Sequence, residues 1–482
     1  MNLIKIMTCG VACALAASLS AQVPPIFPFV RTADLLVLDS DSDGVLRLSD
    51  SNQDGDYNDP GEITTYYDPA IAAVAMTNPN GITCSNEGIV YTTDVSTDTV
   101  YWMRDSNLDG DANDPGESGV FFDASNVGGL VMQIPYSLVV DRLGRVFVAV
   151  TNQSMPPTPD RILMLQDLTN NGNANDMGEA TDYYTIPGST PPSSLAVSIP
   201  TKVAIGPDNN LYYTDVGTST GQRGVWRLVD GNMDGDCNDP GEASLFWNPG
   251  AGAAQYWALA FDALGYCYVT DHSNNEQVWR GRDANTSGDI DPSEQTLFYQ
   301  TSGSSWWDIV MRDDGTVLLC DTQPAASFDR ITALRDTTPD GDALDLGESF
   351  EAYDASVSPT TTLVPRGAVL WRGPLLQLVP DTLPIGQTMQ FVVTASRPGD
   401  ATAVFLTPGL AAPVPLPPYG VLEVDIGFVV QVDVGAADAT ATYTITLPWP
   451  NDPVLIGDYG IQAISGDLVR LLLSNAVLLT IT

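Results

Sequence analysis

Asp105–Glu117 reads DSNLDGDANDPGE, and the phrase returns five more times: Asp50–Glu62 (DSNQDGDYNDPGE), Asp167–Glu179 (DLTNNGNANDMGE), Asp230–Glu242 (DGNMDGDCNDPGE), Asp283–Glu294 (DANTSGDIDPSE) and Asp336–Glu348 (DTTPDGDALDLGE). The starts lie 55, 62, 63, 53 and 53 residues apart. That period is too long for one turn of a helical solenoid and fits a four-stranded sheet. An alternating run precedes each phrase, as in Val100–Arg104 (VYWMR), and a short aromatic run follows, as in Phe121–Phe122. These read as two strands joined by the phrase. Upstream lies a strand ending in Asp or Asn, as at Asp94, Asn152, Asp215, Asp271 and Asp321, and before it a strand ending in a turn, as at Gly144 and Gly265. Four strands in each of six units predict a six-bladed β-propeller.

Only three strands fit between Phe29 and Asp68, so blade 1 lacks an innermost strand. Arg366–Trp371 (RGAVLW) matches the first-strand pattern of the other blades. It is predicted to complete blade 1, pairing the two ends of the propeller and removing an open sheet edge. The propeller then spans 30–373, and 376–482 reads as Pro-punctuated alternating strands predicted to form a small C-terminal β-sandwich. The fold class is all-β.

Each blade resembles the NHL-repeat and gluconolactonase-like group of six-bladed propellers: apolar strand, turn glycine, aromatic-rich strand ending in Asp, then an Arg/Val-type strand. The resemblance implies architecture rather than activity. The phrase inserted between the third and fourth strands departs from that group's plain unit. The group's Glu/Asn/Asn/Asp metal constellation has no residue-by-residue counterpart here.

The inserted phrase has the chemistry of an EF-hand-like calcium loop. Calcium takes six to eight oxygens, supplied by such a loop from positions 1, 3 and 5, a carbonyl at 7, a polar residue at 9 and a closing glutamate, with a turn glycine at 6. The first loop offers Asp50, Asn52, Asp54, Asp56, Asn58 and Glu62, and the second Asp105, Asn107, Asp109, Asp111, Asn113 and Glu117. The third offers Asp167, Asn171, Asn173 and Glu179, and the fourth Asp230, Asn232, Asp234, Asp236, Asn238 and Glu242. The fifth offers Asp283, Asn285, Ser287, Asp289, Asp291 and Glu294, and the sixth Asp336, Asp340, Asp342 and Glu348. Only the fifth has the standard length, with apolar Ile290 at position 8; elsewhere one extra residue leaves either Glu62 or Asp59, and their equivalents, as the closing ligand. Loop 6 loses polar ligands to Thr338 and Leu344. Loop 3 replaces carboxylates with Thr169 and Asn171 and is expected to bind weakest.

The six loops hold 27 of the chain's 60 acidic residues, which concentrates negative charge where oxygen ligands are wanted. Calcium, at several loops and up to six, is therefore the expected cofactor and partner. A net charge of −41, with Lys5 and Lys202 the only lysines, excludes nucleic acid and anionic membrane as partners. Met1–Ala21 has the layout of a secretory signal peptide, and no later stretch is apolar enough for membrane insertion, so the protein is expected to be secreted, extracellular or periplasmic. After the leader, Cys84, Cys237, Cys267 and Cys320 remain, either as buried thiols or as bridges.

Propeller enzymes work at the channel mouth, where first strands converge. Aligning those strands puts Asn80, Tyr136, Lys202, Trp257, Trp307 and Arg366 at equivalent positions, without a carboxylate or histidine cluster. Tyr136, Lys202, Trp257, Trp307 and Arg366 are the candidate rim for a ligand, which would be an extracellular glycan, a small anion or a protein. The one histidine, His272, follows a strand-ending Asp and reads as a turn residue. The expected function is a non-catalytic calcium-binding scaffold or binding protein. The alternative is an extracellular hydrolase or lyase acting on a lactone, ester or glycan through the channel.

Overall fold

The computed structural model describes residues 34–371 except 51–53, 86–87, 107–108, 142, 152–158, 188–197, 218–222, 248–254, 263, 272–275, 313–314, 323–328 and 359–362; beyond these it describes the strands between 376 and 481. The leader, Asn52, Asn107, Asn152 and His272 thus lie outside the described residues. The chain divides into two compact units at Trp371.

The first unit is a six-bladed propeller of four-stranded antiparallel sheets. Blades 2 to 6 each take four successive strands, the innermost being Pro79–Cys84, Pro135–Val140, Pro200–Ile205, Tyr256–Phe261 and Trp306–Met311. Blade 1 combines Asp34–Asp39, Gly44–Leu48 and Ile63–Tyr67 with an innermost strand from the far end of the unit, Pro365–Trp371. That strand pairs antiparallel with Asp34–Asp39, so backbone hydrogen bonds close the circle. The innermost strands neighbour one another all the way round. They approach so closely that a Cβ on Gly81 would come within 2.8 Å of the Ser137 backbone.

The second strand of every blade is buried along its whole length, as in Val90–Asp94 and Val317–Asp321. In every blade but the third that strand ends in an aspartate that binds flanking backbone: Asp94 accepts from Thr77, Asn78, Ser96 and Thr97, and Asp321 from Ser305. The repeated strand-end acids are thus turn hydrogen-bonders. Burial works against the charged form of Asp94, yet its four backbone N–H donors hold it below the usual carboxylate range.

Each outer strand carries a β-bulge at one residue: Tyr66, Phe121, Tyr183, Phe246, Phe298 and Ala352 are skipped in the pairing with the third strand. A bulge leaves one residue out of the ladder. In all six blades the carbonyl of the skipped residue accepts the N–H of position 8 of the next blade's acidic loop. Ala112 donates to Tyr66, Ala174 to Phe121, Cys237 to Tyr183, Ile290 to Phe246 and Ala343 to Phe298, at 2.7–2.8 Å. Tyr57 donates to Ala352 at 2.8 Å and completes the circle between blades 6 and 1. The loops therefore join blades as well as strands.

The side chains at these joints are buried and complementary in volume. Where the skipped residue is a large aromatic, four loops present Ala or Cys. At the closing joint the order reverses, with Tyr57 opposite Ala352. Position 8 is thus a packed core position in every loop, not only at Ile290. Cys84, Cys237, Cys267 and Cys320 are free thiols, and all but Cys84 are fully buried.

The second unit contains a three-stranded sheet (Leu376–Val379, Thr388–Thr394, Thr442–Pro448) and a five-stranded one (Thr382–Leu383, Leu471–Ile481, Gly457–Gly466, Ala401–Pro408, Val430–Ala436).

Removing the Tyr57 ring empties the joint that closes the circle. Tyr57→Ala is expected to lower unfolding free energy by about 3–5 kcal/mol, whereas Leu346→Ala, at a fully exposed site, changes it by less than about 0.5 kcal/mol. Denaturant midpoints of the two variants measured side by side read the difference, and equal midpoints would contradict the joint.

Candidate metal centres

The acidic loops share one internal scaffold. The position 1 carboxylate accepts the N–H of the position 6 glycine in all six loops, from Gly55→Asp50 at 3.1 Å to Gly341→Asp336 at 3.0 Å. Gly341 sits at φ 101°, a conformation that a Cβ would strain, which is why a glycine stands there. In every loop but the fifth, the position 7 N–H meets the position 5 side chain, as Asp342 to Asp340 at 3.4 Å and Asp56 to Asp54 at 3.2 Å.

The closing glutamate folds back onto the loop. Glu348 Oε1 accepts from the Thr337 and Thr338 amides and Oε2 from the Asp345 amide. Glu179, Glu242 and Glu294 repeat this on both oxygens, and Glu62 and Glu117 place Oε2 in the same way. Burial alone would raise the Glu179 and Glu348 carboxyls. For Glu179 and Glu348 the amide donors prevail and hold them below the ordinary 4.5.

Loop 6 offers the clearest fit to a cation. Oxygens of Asp340, Asp342 and Glu348 lie within 4.8 Å of one another. Ligands at 2.3–2.6 Å from one calcium ion are at most about 5 Å apart. In the same loop Asp336 Oδ1 is buried without a hydrogen-bond partner, the condition that a bound cation relieves. The donor set is all oxygen, which suits a hard cation. Asp336, Asp340, Asp342 and Glu348 are therefore the residues that would hold it. Thr338, which the sequence counts as a lost ligand, still turns its hydroxyl inward, onto Asp345 and Glu348.

Three of the position 9 asparagines have a different partner. Oδ1 of Asn58, Asn113 and Asn238 accepts the N–H of Asp354, Asp68 and Thr185 in the neighbouring blade, at 2.8–2.9 Å. Asn175, which the sequence did not single out, does the same for Asp123. These side chains sew the loop to the adjacent outer strand. Conversely, the aspartate three residues before the closing glutamate turns into the loop: Asp239 accepts from Asn232 at 2.6 Å, Asp291 from Asn285 at 3.2 Å and Asp345 from Thr338 at 3.1 Å. The signal was present in the repeated Asp-Pro-Gly-Glu ending, whose extra residue lets the aspartate take the inward place.

No family model matches the chain, and no curated protein matches it in sequence. Among solved structures it is similar to the PQQ-bound aldose sugar dehydrogenase of Streptomyces coelicolor (13% identity, 67% of this chain and 90% of that one, TM-score 0.42). It is also similar to virginiamycin B lyase of Staphylococcus aureus (15%, 83% and 94%, TM-score 0.36) and to regucalcin, a calcium-binding protein of Agrobacterium tumefaciens (12%, 67% and 83%, TM-score 0.39). With TM-scores below 0.5, these likenesses carry no argument about chemistry.

The channel corrects one part of the sequence alignment. The innermost strands bulge at Asn80, Tyr136, Thr201, Trp307 and Arg366, and at Trp257 with its neighbour. Thr201, not Lys202, is thus the blade 4 member of that ring; the preceding Pro200, aligned with Pro79, Pro135 and Pro365, marked the register. Lys202 belongs to the next ring, with Gly81, Ser137, Asp308 and Gly367. There its ammonium pairs with Asp308 at 2.5 Å, and both groups are largely buried. Asp308 also accepts the Ile309 and Ala368 amides, tying blades 4, 6 and 1 across the channel. A carboxylate therefore does stand in the channel, missed because it neighbours Trp307 on the alternate face. Above it Tyr136 meets Trp257 edge-on at 6.1 Å, Trp257 meets Trp307 at 5.3 Å, and Arg366 lies over Trp307 at 4.7 Å while donating to Asn78. Burial lowers the Arg366 guanidinium and raises the Tyr136 phenol.

A carboxyl whose folded value lies below its unfolded one stabilises the fold above the unfolded value, and that contribution is lost as pH falls. In chelator, the melting temperature is therefore expected to hold from neutral pH to about 5 and to fall below it, with a shallower fall in the Glu179→Gln, Glu348→Gln double variant. Identical slopes would contradict the amide clasp. Lys202→Met strands the buried Asp308 and is expected to cost about 3–5 kcal/mol in chemical unfolding; a loss below about 1 kcal/mol, the scale of an exposed pair, would contradict it.

Proposed function

We propose that this protein is an exported, calcium-binding propeller whose loop-bound cations fasten its blades, a non-catalytic scaffold or binding protein. The observation that carries the reading is the six-fold recurrence of one carboxylate-rich, glycine-turned loop at the same place in each blade, with an orphaned buried oxygen and a converging carboxylate set in loop 6. Without a counter-ion the crowded carboxylates repel one another, and each would pull its blade joint apart. Calcium supplies the missing charge, and Asp at positions 1 and 5 with the inward Asp before the closing turn are placed to hold it. The leader-like first residues favour export, where affinities of about 10⁻⁴–10⁻³ M suffice.

The pairing of Lys202 with Asp308 and of Arg366 with Trp307 and Asn78 supports a channel core used for packing, which favours the non-catalytic reading. Any glycan, anion or protein partner would then meet the outer end of the Tyr136, Trp257 and Trp307 ladder.

Each site occupied at ten times its dissociation constant adds about 1.4 kcal/mol. Isothermal calorimetry is expected to show several calcium ions bound per chain, and calorimetric melting to shift steeply downward in chelator. Asp50→Ala and Asp105→Ala should each remove about one ion. An unchanged melting temperature in chelator would sink the reading, and turnover of lactone or ester substrates would overturn its non-catalytic part.

A further inference from the structure

The six joints have the same backbone geometry but not the same charge. Loop 3 carries three carboxylates, Asp167, Asp176 and Glu179, where loop 6 carries five. In loop 3, five of the six carboxylate oxygens accept a hydrogen bond. Asp167 takes the Asn171 and Gly172 amides, one on each oxygen, and Asp176 Oδ2 takes the Thr169 hydroxyl and the Asn171 amide group. Glu179 takes the Leu168 and Thr169 amides on one oxygen and the Asp176 amide on the other. Asn171 thus supplies a donor at position 5, where loops 1, 2, 4 and 6 place an aspartate. The joint they support is intact: Ala174 reaches the Phe121 carbonyl at 2.7 Å and Asn175 accepts from Asp123 at 3.1 Å.

Loop 6 is the opposite case. Beside the Asp340, Asp342 and Glu348 oxygens it buries Asp336 Oδ1 with no partner. Arg280 of blade 5 reaches Gly341 O at 3.2 Å and Asp336 at 3.5 Å, while its guanidinium is stacked on Tyr266. A single guanidinium does not balance five carboxylates. The loop also lacks the position 9 asparagine, where Leu344 stands, so of the two loop-to-strand ties that loop 3 makes only the Ala343 amide is kept, beside the Arg280 contact.

We propose that the joint between blades 2 and 3 is fastened by hydrogen bonds without a cation, whereas the joint between blades 5 and 6 requires one. The inference rests on the calcium reading above and divides its effect unequally round the ring. Loss of calcium then loosens the circle at blade 6 first and leaves blades 2 and 3 joined.

Hydrogen exchange of the full chain, followed by mass spectrometry with calcium and with chelator, tests this at two amides. Peptides containing Ala343 are expected to exchange about tenfold faster or more on chelation, and peptides containing Ala174 at an unchanged rate. In the Asn171→Asp, Asn173→Asp variant, which gives loop 3 the carboxylates that loop 6 carries at positions 5 and 7, the Ala174 peptide should become calcium-sensitive and calorimetry should count one more ion. Equal acceleration at both amides would overturn the proposal while leaving calcium binding standing. No change at either, together with no heat of calcium binding, would overturn both.

Discussion

In every blade one residue of the outer strand is skipped by its own sheet, and its carbonyl is handed to the loop of the next blade. This contact, from Ala112 to Tyr66 round to Tyr57 and Ala352, fixes where each loop sits, and most other features of the ring follow from it. At four joints the skipped residue is a large aromatic and the loop residue tied to it is Ala or Cys, whereas Ile290 stands at the Phe246 joint and Tyr57 at Ala352. A position 8 residue tied by its own N–H cannot drift, so the carboxylates on either side are held close together whatever their mutual repulsion. Hydrogen bonds offset that crowding in loop 3, and the proposed calcium ions offset it in the others.

The same contact explains why two chemistries share one loop. The half before position 8 is polar and turns on glycine, as a cation site requires. Position 9, just after it, faces the neighbouring sheet, where Asn58, Asn113, Asn175 and Asn238 accept a strand-end N–H. Cation binding and blade docking are therefore linked through one backbone, and a change in either is felt by the other. The channel contributes a second, independent tie: Lys202 and Asp308 join blades across the axis.

Much of this was legible in the sequence. The period of the acidic phrase gave the blade count, the alternation around it gave four strands, and RGAVLW at Arg366–Trp371 stood out as a first strand without a blade. What could not be read was which chain groups face a neighbouring blade. Nothing local distinguishes Asn58, which accepts an N–H from Asp354, from a calcium ligand at the same position. The skipped residues Tyr66 and Phe121 look like ordinary members of an aromatic strand, because a bulge is decided by the pairing partner. Lys202 and Thr201 are neighbours on one strand, and Pro200, which fixes the strand start, is what tells which of the two joins the ring of Tyr136 and Trp307. Asp308 was hidden beside two tryptophans, since period-two alternation says which face a side chain takes but not what waits on it.

The central claim is that cations sit inside the loops that hold the blades together. A crystal structure grown in calcium, with anomalous scattering used to find the ions, tests it most directly. An anomalous peak is expected in loop 6 within about 2.3–2.6 Å of oxygens from Asp336 and Asp340, with the Ala343 amide still on the Phe298 carbonyl. Loops that hold only water at saturating calcium, with the joints unchanged, would contradict it.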